Sequence, residues 1–151
     1  STPRKRQWKR KEHRKMSVPE GKRTKSKFEV IVKARNIVTH TIKITSNEKV
    51  FPKRYRWSFT GKLVDETMDM YKNLFLANSI TVTTKEDKIL RRQYQVKALA
   101  QTYSILAMIQ IAYDLFGLST DRVKYWTQLL VEEQNLIRKW RESDSSRYRN
   151  L

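Results

Sequence analysis

The chain of 151 residues has no cysteine, which excludes disulfides, thiol nucleophiles and Cys-ligated zinc or iron–sulfur centres. Glycine and proline are scarce, three of each. A Gly-rich phosphate cradle, a dinucleotide fingerprint and a turn-rich β-sandwich or barrel are thereby set aside. No long apolar run exists either. The longest uncharged stretch, between Lys97 and Asp114, carries Gln101 and Gln110 and falls short of the ~20 apolar residues a membrane span needs. The N-terminus is basic but no apolar segment follows it, so it does not read as a signal peptide. A cytoplasmic protein without membrane contact is the expectation.

Acidic residues are few: 15 Asp+Glu face 33 Lys+Arg, for a net charge of +18. The excess is uneven. Residues 1–27 hold 12 Lys/Arg against two Glu, a net of +10, and the other 124 residues hold 21 against 13, a net of +8. The N-terminal stretch has almost no apolar content and cannot offset its ordering entropy, so it reads as a disordered basic arm. Its cations, Arg4, Lys5, Arg6, Lys9, Arg10 and Lys11 foremost, suit phosphate, from which clustered positive charge releases counterions. A merely solubilising arm is the plainer alternative. The charge left on residues 28–151 argues for a basic face on the folded part as well.

From Phe28 onward the apolar residues recur at helical spacing. A first helix over about 27–45 sets Phe28, Ile31, Val32, Ile37, Val38 and Ile42 on one broad side. A second, over about 52–79 with Pro52 in its first turn, carries Trp57, Val64, Met68, Tyr71, Leu74 and Phe75. Thr83 and Glu86 have capping-box spacing for a third helix over about 85–116. Its first half is basic, and its second, Ala98 to Phe116, is apolar nearly all round and should be the most buried element. Gly117 suits a helix C-terminus and Ser119 or Thr120 an N-cap. A fourth helix over about 120–143 carries Val123, Trp126, Leu129, Leu130, Leu136, Ile137 and Trp140. Short connections then predict an all-α fold, an antiparallel up-down-up-down four-helix bundle. Its parts are the arm at 1–27, the bundle at 28–143 and a frayed polar tail at 144–151. No internal repeat, sustained strict heptad or second domain is evident.

Catalytic constellations are missing. The residues three before His13 and His40 are Arg10 and Ile37, so the Glu-x-x-His pattern of a di-iron bundle is absent. Asp65 with Asp69, Glu66 with Asp69, and Glu132 beside Glu133 read as solvated faces or ion-pair partners rather than metal ligands. Asp114 reads either as a buried acid or as a helix-end surface group. No Ser or Thr has a base nearby in sequence. The expectation is no enzyme, no metal and no cofactor.

Two basic clusters remain. Phe51-Pro52-Lys53-Arg54-Tyr55-Arg56-Trp57, with Lys62 beyond it, interleaves cations and aromatics as RNA recognition requires. A helix N-terminus at Pro52 would add free backbone N–H groups. Trp57 reads as core, and Lys53, Arg54 and Arg56 read either as binding groups or as cover for the bundle end. On helix three, Lys88, Arg91, Arg92 and Lys97 form the second cluster, with Lys88 and Arg92 on one face and Arg91 elsewhere. Arg138, Lys139 and Arg141 complement a helix C-terminus and need no further role. Trp126, Trp140 and Tyr125 on one helix leave apolar surface for self-association.

The stretch Val32-Lys33-Ala34-Arg35-Asn36-Ile37-Val38, then Phe51-Pro52 with Tyr55, Arg56 and Phe59, then Ala77-Asn78 and the long third helix with its basic start, resembles a bacterial four-helix-bundle superfamily. It includes the accessory variability determinant (Avd) proteins of diversity-generating retroelements and proteins encoded within intervening sequences of large-subunit rRNA genes. The resemblance covers roughly residues 28–143. An Avd-like chain implies a homopentamer whose positive surface binds template RNA or cDNA and a reverse transcriptase, supporting mutagenic retrohoming, with the activity residing in the polymerase. The basic residues of the two clusters are the matching positions; the 27-residue arm departs from the family pattern. Two rival readings stand beside this one: an RNA-binding bundle acting on rRNA or the ribosome without a polymerase, and a protein-interaction scaffold whose charge serves solubility.

Overall fold

The structure, a computed structural model, describes residues 27–151. The arm cations Arg4, Lys5, Arg6, Lys9, Arg10 and Lys11 lie outside the described residues. The described chain is all-helical, with four helices and no strand: α1 (27–45), α2 (Gly61–Ser79), α3 (Lys85–Phe116) and α4 (Thr120–Arg147). No described helix is long and apolar enough to cross a membrane.

All four helices bury residues at alternating steps of four and three. In α1 these are Val30, Ala34, Ile37, Thr41 and Ile44; in α2, Leu63, Thr67, Met70, Leu74 and Ala77. In α3 they run Arg91, Gln95, Ala98, Thr102, Ile105, Ile109, Ala112, and in α4 Trp126, Leu130, Glu133, Ile137, Trp140. A mean step of 3.5 keeps one narrow seam against neighbouring helices along their whole length. The heptad that the residue pattern hides is therefore present in every helix. It is hidden because Thr41, Thr67, Arg91, Gln95, Thr102 and Glu133, all polar, fill seam positions.

The broad apolar stripes expected from sequence are correspondingly split. In α1, Phe28 and Ile42 are exposed. The second half of α3 is not buried all round: Tyr103, Ile111 and Leu115 stand out in solvent while Thr102, Ile105, Ile109 and Ala112 face inward. On α4 the two expected tryptophans, Trp126 and Trp140, are core while Tyr125 is exposed, and α3 adds further exposed apolar surface of its own.

Specific contacts tie the helices together. Between α1 and α4, Trp126 Nε1 donates to Thr41 Oγ1 at 3.1 Å, and Lys33 pairs with Glu132 at 2.6 Å. Asn73 of α2 donates to Gln101 of α3 at 2.8 Å. The α3 N-terminus is capped one residue later than the sequence suggests. Thr84 Oγ1 accepts from Asp87 N at 3.1 Å, and the Asp87 carboxylate accepts from the N–H groups of Thr83 and Thr84. These donors, the Thr83 N–H first, hold the Asp87 carboxyl below its usual range. Thr83 with Glu86 therefore makes no box, because Thr83 also donates its hydroxyl to Asp87. At the other end Gly117 closes α3 with φ 62°, and Ser119 caps α4 by accepting from Arg122 N at 3.2 Å.

Two boundaries depart further from expectation. α2 begins at Gly61, not at Pro52; a 3₁₀ turn, Lys53–Tyr55, and a π-helical turn, Arg56–Thr60, precede it. α4 continues to Arg147 instead of fraying after Ser143, because Asp144 is held by Arg91 and Gln95 of α3.

Candidate nucleic-acid interface

The α3 start and the α4 end enclose a cleft of about 360 Å³. Lys88, Arg91 and Arg92 line it from α3, and Arg138, Arg141 and Asp144 from α4. The three C-terminal positions were assigned a helix-end role from sequence; two of them, Arg138 and Arg141, instead share this cleft with Lys88 and Arg92. Only the packing of α3 on α4 reveals the grouping, since the two sets lie some fifty residues apart.

Arg91 is engaged inside the fold rather than presented to the cleft opening. It is 3% exposed. Its Nε and Nη2 donate to the two Asp144 oxygens at 2.8 and 3.0 Å, and its Nη1 donates to the Ile80 carbonyl at 3.3 Å. The guanidinium also lies over the Trp140 ring, 5.1 Å from its centroid. Such a forked, stacked pair is structural glue: the one carboxylate deep in the cleft is consumed by Arg91 and Gln95.

The other cleft cations keep free valence. Among the described residues none of Lys88, Arg92, Arg138 or Arg141 is ion-paired. Lys88 donates to the Tyr148 carbonyl at 2.9 Å, and Arg138 donates to the Tyr103 hydroxyl. Arg141 has its Nε buried with no protein acceptor, and Arg92 is exposed. Glu142 is the remaining carboxylate at the cleft wall. Lys97 is not gathered here; it sits on the outer side of α3 beside Val96 and Ala100. Lys27 joins the same end of the bundle: burial lowers its pKa first, then the Arg91 charge, while Asp144 opposes. The basic segment that precedes it is therefore attached next to the cleft.

The other cluster sits at the opposite end. Phe51, Tyr55 and Phe59 each meet the Phe116 ring edge-on, with centroids 5.1, 5.2 and 5.8 Å away. Phe116 and Arg92 are separated along α3 by about 36 Å at 1.5 Å per residue, so the clusters are two sites on one chain. Four-residue steps from 51 to 55 to 59 turn these rings inward and leave Trp57, midway between two of them, pointing out. Trp57 is 89% exposed, which corrects its reading as core. Lys53, Arg54, Arg56 and Lys62 are exposed around it. Arg54 lies over the Tyr55 ring at 5.0 Å, and Arg56 reaches Glu48 only at 4.0 Å. Pro52 precedes a three-residue turn rather than an α-helix, so the expected N-terminal N–H array is not built there.

The acidic candidates resolve differently from one another. Asp114 is exposed and accepts from Gln110 at 3.2 Å. Glu132 is held low by its hydrogen bond from Lys33. Glu133, read from sequence as a solvated acid, is wholly buried with neither carboxylate oxygen partnered. Burial pushes its pKa well above the ordinary carboxylate range. Among the described residues no three His, Asp or Glu side chains converge on a metal-sized site.

Comparison with family models, curated proteins and solved structures yields no match to this chain.

Proposed function

We propose that this chain is a non-enzymatic nucleic-acid-binding accessory protein, in which the α3–α4 cleft grips the phosphate backbone of RNA or DNA. One observation carries the reading. Lys88, Arg92, Arg138 and Arg141 converge without an ion-paired carboxylate, because Asp144 is already engaged by Arg91 and Gln95. Unpaired cations meeting at a cleft, beside the attachment of a segment with 12 Lys/Arg in residues 1–27, suit a polyanion far better than a neutral ligand.

The same proposal takes the bundle as up-down-up-down. Residue numbers rise on one helix as they fall on the next in Lys33–Glu132 and Thr41–Trp126, and again in Arg91–Asp144 and Tyr103–Arg138. Resemblance to the Avd proteins supplies the rest: a cytoplasmic homopentamer that brings template RNA or cDNA to the reverse transcriptase of a diversity-generating retroelement. Ile89, Val96 and Tyr103, exposed at seven-residue steps on α3, offer an apolar stripe for packing between copies.

Polarisation binding of the full chain to a structured RNA and a DNA duplex across a salt series tests the core claim. K88E/R92E is expected to weaken both complexes at least tenfold and to flatten the log–log salt slope by roughly two units, about 0.9 per lost contact. Unchanged affinity and slope would refute the cleft as a phosphate site. Co-purification separates the partners: a reverse transcriptase recovered with the chain supports the retroelement role, whereas rRNA recovered without one supports the ribosomal alternative.

A further inference from the structure

The bundle end opposite the cleft carries a different kind of chemistry. Residues 48–62 contain Lys49, Lys53, Arg54, Arg56 and Lys62 against a single carboxylate, Glu48. Within the same segment Phe51 and Phe59 are buried and Tyr55 is half-buried, so Trp57 is its one exposed large apolar side chain. A single flat ring among cations is poorly suited to an apolar protein groove or a lipid surface, since either takes several apolar side chains at once. It matches one unpaired nucleobase, whose face stacks on the indole while flanking phosphates meet the cations. Inside a duplex both faces of every base are covered by stacked neighbours, so a duplex interior offers Trp57 nothing.

The platform is also stiff. Three inward rings pack on Phe116 and fasten the segment at residues 51, 55 and 59. The π-helical turn that presents Trp57 is closed by the Gly61 N–H donating to the Arg56 carbonyl. A Cβ at position 61 would stand 2.9 Å from that oxygen, so glycine is what lets the turn close. π-turns inside helices mark functional positions often enough that one beneath an exposed indole is itself an indication. A backbone held this way loses little freedom when a base stacks on the indole it presents.

We infer that Trp57, flanked by Lys53, Arg54 and Arg56, is a base-stacking platform that makes the chain a reader of unpaired nucleotides at the bundle end remote from the cleft. The inference rests on the nucleic-acid reading above and narrows its ligand to single strands or the single-stranded parts of a folded RNA.

The test uses the full chain with 12-nucleotide single-stranded RNA and DNA and the corresponding blunt duplexes, read by polarisation and by tryptophan fluorescence. Trp57→Ala and Trp57→Leu are both expected to weaken single-strand binding by about 5- to 100-fold, the range of one lost stack. Trp57→Tyr should recover most of it, and duplex affinity should move less than twofold in all three. On a Trp8→Phe background, single strands should quench the emission and a further Trp57→Phe should abolish the quench, since the two remaining tryptophans, Trp126 and Trp140, are buried. If Trp57→Leu binds single strands like wild type, the contact is merely apolar and stacking is overturned. If every variant binds single strands normally, the platform is wrong while the cleft proposal stands. If the wild-type chain binds neither strands nor duplexes, both readings fall, and binding to anionic vesicles or a protein partner becomes the explanation for the exposed ring.

Discussion

Glu133 is the residue whose replacement tests the energetics of the bundle most directly. It occupies a seam position of α4, is fully buried, and has no partner for either carboxylate oxygen. Burial raises its pKa, opposed only in part by the Lys33 ammonium, which is itself committed to Glu132 at 2.6 Å. The folded chain therefore holds this carboxyl protonated at pH values where the unfolded chain, near its ordinary 4.5, has released the proton. The sign follows from that difference. A folded pKa above the unfolded one gives stability that is intact below about 4.5 and drains away as pH rises towards the folded pKa. Between the two pKa values the slope approaches about 1.4 kcal/mol per pH unit, which is large against a total stability of roughly 5–15 kcal/mol. Glu133→Gln keeps the shape and cannot ionise; Glu133→Leu also removes the unpaired polar atoms, worth about 1–3 kcal/mol. Urea unfolding at pH 5, 6, 7 and 8 reads the effect. The stability gap between the Gln variant and wild type should widen as pH rises from 5 and level off only once pH passes the folded pKa, and other titrating groups cancel in the difference. A gap that stays flat across this range would mean that the carboxylate is ionised and solvated in the fold, and the reasoning would fail.

Three further outcomes are expected. Asp144→Ala strands the Arg91 guanidinium and should cost about 3–5 kcal/mol in urea unfolding, whereas Arg91→Met with Asp144→Leu should recover most of it; a double variant as unstable as the single would contradict a closed pair. Gly61→Ala should destabilise by about 1–2 kcal/mol because overpacking against the Arg56 carbonyl outweighs the helix preference of alanine. A stabilised Gly61→Ala chain would show that the close approach is not real. Val96→Asp, placed in the outer α3 stripe, should dissociate any homo-oligomer in sedimentation velocity without lowering the melting temperature of the monomer by more than a few degrees; an unchanged sedimentation coefficient would remove α3 from the interface.

Element placement was legible where local chemistry decides it. The span 85–116, its αL glycine at 117 and the Ser119 cap need only neighbours in sequence, and all three are found. Boundaries set by distant partners were not legible. Nothing near Ser143 announces that Asp144 meets Arg91, fifty-three residues earlier, and so extends α4 to Arg147. The start of α2 was misread for a related reason. Pro52 is a credible first-turn residue, but the pull of Phe116 on Phe51, Tyr55 and Phe59 sets the segment into 3₁₀ and π turns. The same pull turns Trp57 outward, reversing the ordinary expectation that tryptophan is core.

The candidate site follows the same logic, because charge alone does not say which cation is spent. Sequence puts Arg91 on a different face from Lys88 and Arg92 but does not say which face is inside; adjacent heptad positions put Arg91 in the seam and Arg92 on the surface. The seam needs polar groups that are matched across helices, since a purely apolar repeat tolerates sliding by one heptad. Thr41 is matched to Trp126, and Arg91 and Gln95 to Asp144; each fixes the register of two helices. The Arg91 pairing has a second consequence. By engaging Asp144, it leaves Lys88, Arg92, Arg138 and Arg141 lining the cleft without an ion-pair partner among the described residues, with Glu142 as the one other carboxylate beside them. The contact that aligns α3 with α4 thus also makes their shared cleft cationic. Arg91→Met with Asp144→Leu removes one charge of each sign and leaves the four other cations in place, so this variant should fold and still bind phosphate.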